Sequence, residues 1–254
     1  MRRILGGWYN TTRDSILYEG LPILLWRILV KLVSPVAELH HQILYEFDLT
    51  QPIEQRSARV DCHLQQMTEA DIEVLVDQRL GRPPPDDVQL SNENEYRRAR
   101  LERERARLRD TYRRWFRAGE LCFVARIDKE LGHSNWIRFY ETGPVSSRPV
   151  TLGPGEAYCI EGFTPVHWRG KRLHEAVHTY MLRYAQSHGY RLALTITDLT
   201  KVGSRRGLAR VGGWRRRGHH LLIAPRGLGR SWMVRLDGDV SPIARGPQGE
   251  PIRS

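Results

Sequence analysis

Apolar residues recur along this chain with two different periods, and the changes of period divide it into helices and strands. A spacing of three to four residues predicts helices at 23–33, 69–80, 92–118, 172–188 and 203–211. Alternating or continuous apolar runs predict strands at 58–65, 121–127, 135–141, 156–164, 190–197, 219–224 and 231–236. Residues 38–49 fit either a short helix or a strand. Strands and helices mixed in this order indicate the α+β fold class.

The chain is long enough for one large domain with an appendage. We expect an N-terminal amphipathic or helical appendage over residues 1–57 and a main domain over residues 58–236. Residues 237–254 are rich in Pro, Gly and Arg, and we expect them to form a flexible C-terminal tail.

The predicted helix at 23–33 is amphipathic and basic. Arg27 and Lys31 lie on one face, and leucine and isoleucine side chains occupy another. The helix then either packs on the domain or a partner, or lies on an anionic membrane as a peripheral contact through residues 22–33. A spanning helix needs about 20 mostly apolar residues, so the two charges disfavour it. We expect a cytoplasmic protein, with or without this peripheral contact.

The composition points to anionic partners without choosing among them. The net charge is +11, which attracts nucleic acid, an anionic membrane or a phosphorylated cofactor. The arginine-rich helix at 92–118 is interpreted as a solvated helix with intrahelical ion pairs, or as a contact for nucleic acid or membrane. Few aromatic residues are interleaved with its arginines, so nucleic-acid binding is not expected. The cysteines Cys62, Cys122 and Cys159 are far apart and are expected in the core, and no metal site is predicted.

The most informative segment is the basic turn from Arg169 to Leu173, between the predicted strand at 156–164 and the predicted helix at 172–188. A strand that re-enters as a helix through such a turn directs backbone N–H groups and the positive end of a helix dipole at one place. This arrangement suits a phosphate or pyrophosphate group.

The strand, turn and helix over Phe163 to His174, within this order of elements, resemble the GNAT superfamily of CoA-dependent N-acyltransferases. The family's turn is commonly Arg-Gly-Lys-Gly-Ile-Gly, and Arg169, Gly170 and Lys171 match its first half. Arg172 and His174 stand where the family has small residues. The resemblance covers about residues 58–236 and implies a GNAT-like, mixed, mostly antiparallel central sheet flanked by helices. It also implies that the following residues bind the cofactor: Phe163, Thr164, Arg169, Gly170, Lys171, Arg172, Leu173 and His174.

The resemblance implies an N-acyltransferase that uses acetyl-CoA or another acyl-CoA and transfers the acyl group to an amine by direct attack in a ternary complex. Glu161, in the strand before the turn, is the candidate base that accepts the amine's proton. Ala209 falls where the family often has the tyrosine that protonates the leaving thiolate. The identity of the amine acceptor is left open. The alternative is a non-catalytic basic protein that binds nucleic acid or an anionic membrane surface.

Overall fold

The computed structural model describes residues 21–81, 92–140, 150, 152–226 and 232–236 of the chain. Within these ranges the helices α1 to α5 are Leu21–Val33, Ile72–Leu80, Asn92–Arg117, Leu173–Ser187 and Val202–Val211. The strands β1 to β8 are Ala37–Asp48, His63–Gln66, Leu121–Ile127, Glu130–Phe139, Glu156–Phe163, Leu192–Asp198, Trp214–Pro225 and Trp232–Arg235. Two compact units are formed, a larger one from residues 47–194 and a smaller one from described residues in 21–46 and 195–236.

The larger unit is built on strands β2, β3, β4 and β5, which pair with one another in that order. All three pairings are antiparallel, with Gln65 opposite Val124, Cys122 opposite Trp136, and Trp136 opposite Ile160. Helices pack on this sheet because β3, β4 and β5 are buried along half or more of their length, whereas β2 at the end of the order has no buried residue. The central strand β4 is buried at every position after its first residue, so it forms the middle of the core.

An aromatic cluster joins α3 to the sheet of the larger unit. Trp136 on β4 is fully buried, and Tyr112 stacks on it with ring centroids 5.5 Å apart. Trp115 and Phe116 meet the same indole ring edge-on at 5.1 and 5.0 Å. Large aromatic side chains bury much apolar area and prefer such offset or edge-on contacts. The cluster therefore fixes the position of α3 against β4.

The smaller unit contains α1, α5, β7, β8 and most of β1 and β6, and its strands follow the order β6, β1, β7 and β8. Strands β7 and β8 are antiparallel, with Ile223 opposite Trp232. The backbone N–H of Arg226, just after β7, donates to the carbonyl oxygen of Val36, just after α1, at 2.9 Å. None of the helices in the described ranges is long and apolar enough to cross a membrane.

From β2 onward the elements follow the predicted order of strand, two helices, three strands, helix, strand, helix and two strands. The α+β class with a mostly antiparallel sheet is confirmed. The predicted tail at 237–254 and the first 20 residues of the predicted appendage lie outside the described residues. The division at residues 57 and 236 stays a prediction.

Several element boundaries differ from those predicted. Residues 38–49, left open between helix and strand, form β1. The strand predicted at 58–65 is confined to His63–Gln66, because the Arg59 backbone N–H donates to the Lys171 carbonyl at 2.8 Å and is not available to the sheet. Strand β4 begins at Glu130 rather than at 135, since Ile127 and Glu130 close a tight hairpin.

Candidate functional site

Strand β5 carries a β-bulge three residues before its turn. Ile160 pairs with Trp136 and Phe163 with Ser134, so Glu161 and Gly162 together face the single residue Asn135. Glu161 has φ of 53°, in the left-handed region that non-glycine residues seldom adopt. A Cβ on Gly162 would lie 2.8 Å from Asn135 Oδ1, which explains the glycine at this position. A bulge leaves one residue outside the ladder and re-aims the strand, and such bulges are common beside active sites.

The Glu161 side chain is held by Arg79, at the end of α2. The Arg79 guanidinium forms an ion pair with the Glu161 carboxylate, and about a quarter of each side chain is exposed. Arg79 Nη1 also donates a hydrogen bond of 2.7 Å to the Tyr112 hydroxyl. Its guanidinium carbon lies 5.0 Å from the ring centroid of Phe163, a cation–π contact. One arginine thus connects the bulge, the end of β5 and α3.

Tyr112 is fully buried beside this ion pair. Burial raises the pKa of its hydroxyl to about 12, with Arg79 lowering it and Glu161 raising it. The phenol therefore stays neutral at ordinary pH. Because its ring is stacked on Trp136, its oxygen is a fixed acceptor that orients the Arg79 guanidinium.

The turn between β5 and α4 is anchored at its start. After Pro165 the chain makes a single 3-10 turn over Val166–Trp168. Trp168 Nε1 donates to Glu130 Oε2 at 2.7 Å, and His167 Nε2 lies 2.8 Å from the same oxygen. Glu130 begins β4, so this carboxylate ties the turn to the β3–β4 hairpin.

The turn then exposes its basic residues and enters α4. Arg169, Gly170, Lys171 and Arg172 are all exposed, while Leu173 is buried and fixes the first turn of the helix. Gly170 has φ of 80°, which favours glycine at this position. Arg172 takes the N-cap position with φ of 57°. Its side chain is about half exposed, so it points outward from the turn.

The N-terminus of α4 is suited to an anion. A helix begins with backbone N–H groups that have no intrahelical acceptor, and a side-chain oxygen at the N-cap usually accepts from them. Arginine has only donors, so Arg172 cannot serve in this way. Its guanidinium instead lies 3.8 Å from the buried Glu175 carboxylate, which offsets one of the three cations here. The helix dipole and the remaining cations favour a phosphate group.

Three histidines lie beneath the turn in the larger unit. His133 Nδ1 is 2.7 Å from the Thr164 hydroxyl, and His133 Nε2 is 3.4 Å from His174 Nδ1. The His174 and His178 rings lie 5.0 Å apart. Burial, with the neighbouring histidines, lowers the pKa of His133 and of His178 well below 6.5. His133 and His178 are therefore neutral supports for the end of β5 and the start of α4.

The candidate residues predicted from the sequence are continuous in space along this strand, turn and helix. Glu161 and Phe163 contact Arg79, and Thr164 contacts His133. Of the predicted cofactor-binding residues, Leu173 lies in the core and His174 faces the histidine group, while the exposed backbone and cations come from residues 169–172. Sequence reasoning missed Arg79, Tyr112 and His133. Each lies inside a helix or strand with no sequence motif around it. Only its contacts in the folded protein place it beside the candidate site.

The chain is similar to known proteins only in structure, and at low sequence identity. No protein-family profile matches the chain, and no curated protein matches it. Among solved structures, a GNAT-family acetyltransferase from Colwellia psychrerythraea is 12% identical over 75% of this chain and 57% of its own, with a TM-score of 0.49. A GCN5-related N-acetyltransferase from Sphaerobacter thermophilus is 14% identical over 83% of this chain and 57% of its own, with a TM-score of 0.47.

A third similar structure, an acetyltransferase from Clostridium acetobutylicum with acetyl-CoA, is 14% identical over 60% of this chain and 89% of its own, with a TM-score of 0.40. This chain spans little more than half of the first two proteins. With TM-scores below 0.5, these similarities carry no conclusion about activity. The evidence for the fold is the set of elements and strand pairings described above.

Proposed function

We propose that this protein is an acyl-CoA-dependent N-acyltransferase, with acetyl-CoA as its default donor and an amine as its acceptor. The observation that supports this most is the continuous segment from Glu161 to Glu175, in which a bulged strand leads through an exposed cationic turn into an uncapped helix. Such a segment offers backbone donors at two places, one beside the strand and one at the helix.

The turn is the proposed site of the CoA pyrophosphate. Backbone N–H groups of residues 170–174 and the dipole of α4 act on the phosphate oxygens, and Arg169, Lys171 and Arg172 add charge. The three side chains are exposed, so they reach a ligand without first leaving the core. The pantetheine arm then extends from the turn toward the bulge, where the interrupted ladder leaves strand backbone with which an extended chain can pair.

The bulge is the proposed site of acyl transfer. The amine nitrogen attacks the thioester carbonyl carbon, a C–N bond forms, and the C–S bond breaks. A backbone N–H released from the ladder at the bulge donates to the carbonyl oxygen as negative charge develops there. Glu161 accepts the proton that the amine loses, directly or through water. With Ala209 at the family's tyrosine position, the departing thiolate takes its proton from solvent.

Arg79 and Tyr112 act on this reaction through Glu161. The chain Tyr112, Arg79, Glu161 fixes the carboxylate at the bulge, on the side bordered by α2 and α3. Both are positioning residues, since Arg79 contacts the base and Tyr112 contacts Arg79.

The reaction is tested by following thiol release from acetyl-CoA with a panel of amines, including small polyamines, amino acids and lysine peptides. Glu161→Gln should lower kcat by about 10²- to 10⁴-fold, the usual contribution of a general base, with the Kd for CoA unchanged. Glu69→Gln serves as the matched control, because Glu69 is an exposed carboxylate in the short 3-10 turn before α2. Thiol release that is equal in the Glu161 variant and in the wild type removes Glu161 from the mechanism. Absence of amine-dependent release with any acyl donor removes the function.

A second candidate, non-catalytic binding of a polyanion, is favoured by one observation on α3. Arg100, Arg103, Arg107, Arg114 and Arg117 are exposed at helical spacing along one stripe. Binding of duplex nucleic acid that falls steeply with salt, without binding of CoA, would support this candidate instead.

A further inference from the structure

The apolar side of α1 faces outward. Leu25, Leu29 and Leu32 are 56%, 45% and 73% exposed, and Val36, one turn beyond, is 68% exposed. Their spacing of three and four residues places them on one face of the helix. Ile23, by contrast, is buried. In a helix that packs on its own unit the apolar stripe turns inward, whereas the stripe of α1 is left uncovered by the described part of the smaller unit.

Strand β8, also in the smaller unit, exposes apolar side chains as well. On β8, Trp232 and Val234 are 49% and 44% exposed, and Leu236 follows at 50%. Positions i, i+2 and i+4 lie on one face of a strand. Trp232 pairs with Ile223, and Arg226, three residues later, is hydrogen-bonded to Val36. The end of α1 and the start of β8 therefore lie at the same end of the smaller unit.

Cations border these apolar residues. Lys31 is exposed within α1, and the Arg226 side chain is 58% exposed beside Val36. Arg27 is half-buried, with its guanidinium 3.4 Å from the Thr200 carbonyl. The nearby carboxylate, Glu38, lies 4.0 Å from both Arg226 and His40. An apolar face bordered by Lys and Arg complements an anionic lipid surface.

We propose that α1 and β8 form a membrane-docking surface, by which the smaller unit lies on an anionic bilayer with Leu25, Leu29, Leu32, Val36 and Trp232 in the interface. At 13 residues α1 is about 20 Å long, too short to span and suited to lying in the plane of the bilayer. A tryptophan at the edge of such a face is typical of the interface, where its ring is apolar and its N–H remains hydrated. The net charge of +11 strengthens the attraction to anionic lipid.

The test is co-sedimentation of the full-length protein with vesicles of phosphatidylcholine alone, or mixed with phosphatidylserine. The wild type should bind the mixed vesicles, bind the neutral ones weakly, and lose affinity as salt rises. Leu29→Ser with Leu32→Ser should weaken binding by about tenfold or more, since each leucine loses most of its transfer free energy. Val166→Ser is the matched control, because Val166 in the larger unit is as exposed as Leu32, at 73%.

Further measurements distinguish loss of membrane binding from misfolding of the variant and from loss of a dimer. Mixed vesicles should shift tryptophan emission to shorter wavelength in the wild type, and Trp232→Phe should lose part of that shift. Circular dichroism and CoA binding should be unchanged in the leucine variant. The proposal is overturned if the wild type does not bind anionic vesicles, or if the leucine variant binds them as strongly as the wild type does. It is equally overturned if sedimentation shows a dimer that the leucine variant loses while vesicle binding is absent.

Discussion

At the scale of single residues, the site depends on the environment of a few polar side chains. Glu161 is held at a strained position by Arg79, and Arg79 is itself oriented by a buried tyrosine. Residues in sparsely populated backbone regions persist only where their surroundings fix them, and they concentrate at functional sites. The identity of Glu161 as the base was proposed from its place in the strand, whereas the contacts that fix it are visible only in the structure.

Arg79→Met should impair catalysis without affecting the binding of CoA. Glu161 loses its cation, so the carboxylate leaves its fixed position and kcat should fall by about tenfold or more. The pH profile of kcat should shift as well, a change that a purely structural role would not cause. Arg109→Met is the control, because Arg109 pairs with Glu73 at 2.9 Å on the same two helices. An unchanged kcat and pH profile in Arg79→Met would contradict the assignment.

The histidine group should make stability depend on pH. His133 and His178 have pKa values well below 6.5 in the folded protein, whereas unfolding restores values near 6.5. Below pH 6.5 the unfolded chain therefore binds more protons than the folded one. The free energy of unfolding is then highest above pH 6.5 and falls as pH is lowered, by about 1.4 kcal/mol per pH unit for each histidine.

Urea unfolding between about pH 7.5 and about pH 5 measures this slope. His178→Gln should remove about half of this dependence of stability on pH. His188→Gln should leave the dependence unchanged, because His188 is exposed at the end of α4. A stability that is flat across this range would contradict neutral burial of the pair.

At the scale of elements, the candidate site is formed by the bulge in β5 and by the turn that follows it. The bulge requires a residue without Cβ at Gly162, and the turn requires left-handed backbone at Gly170 and Arg172. The turn was recognisable in the sequence because basic residues and glycine stand between an apolar run and a helical pattern. The bulge was not, because an extra residue in a strand depends on the register of the partner strand β4.

Gly162→Ala should destabilise the larger unit. The new methyl group would lie 2.8 Å from Asn135 Oδ1, on a side chain that is itself buried, so we expect a loss of about 1–3 kcal/mol. Gly203→Ala in α5 is the control, since a methyl group there meets no atom within 4 Å and should be neutral or slightly stabilising. Thermal or urea unfolding measures both. Asn135→Ala in the Gly162→Ala background should recover part of the loss, and a fully tolerated Gly162→Ala would contradict the tight bulge.

At the scale of the whole molecule, the order of the elements was predictable and several partners were not. The periods of apolar residues identify each element because burial on one side imposes them. Strand β1 was ambiguous because its mostly half-buried positions do not alternate clearly. The pairing of Arg79 with Glu161, and of Trp136 with Tyr112 and Trp115, joins segments far apart in sequence. Such contacts carry no local signal, so they are accessible only from the folded chain.

The central claim, that the turn binds the pyrophosphate of an acyl-CoA, is tested most directly by calorimetric titration of the purified protein with CoA. The wild type should bind CoA, and Arg169→Ala combined with Gly170→Asp should abolish binding by removing a cation and adding a carboxylate at the helix N-terminus. Arg183→Ala, a change of an exposed cation farther along α4, should bind as the wild type does. No binding by the wild type, or equal binding by the turn variant, would contradict the account.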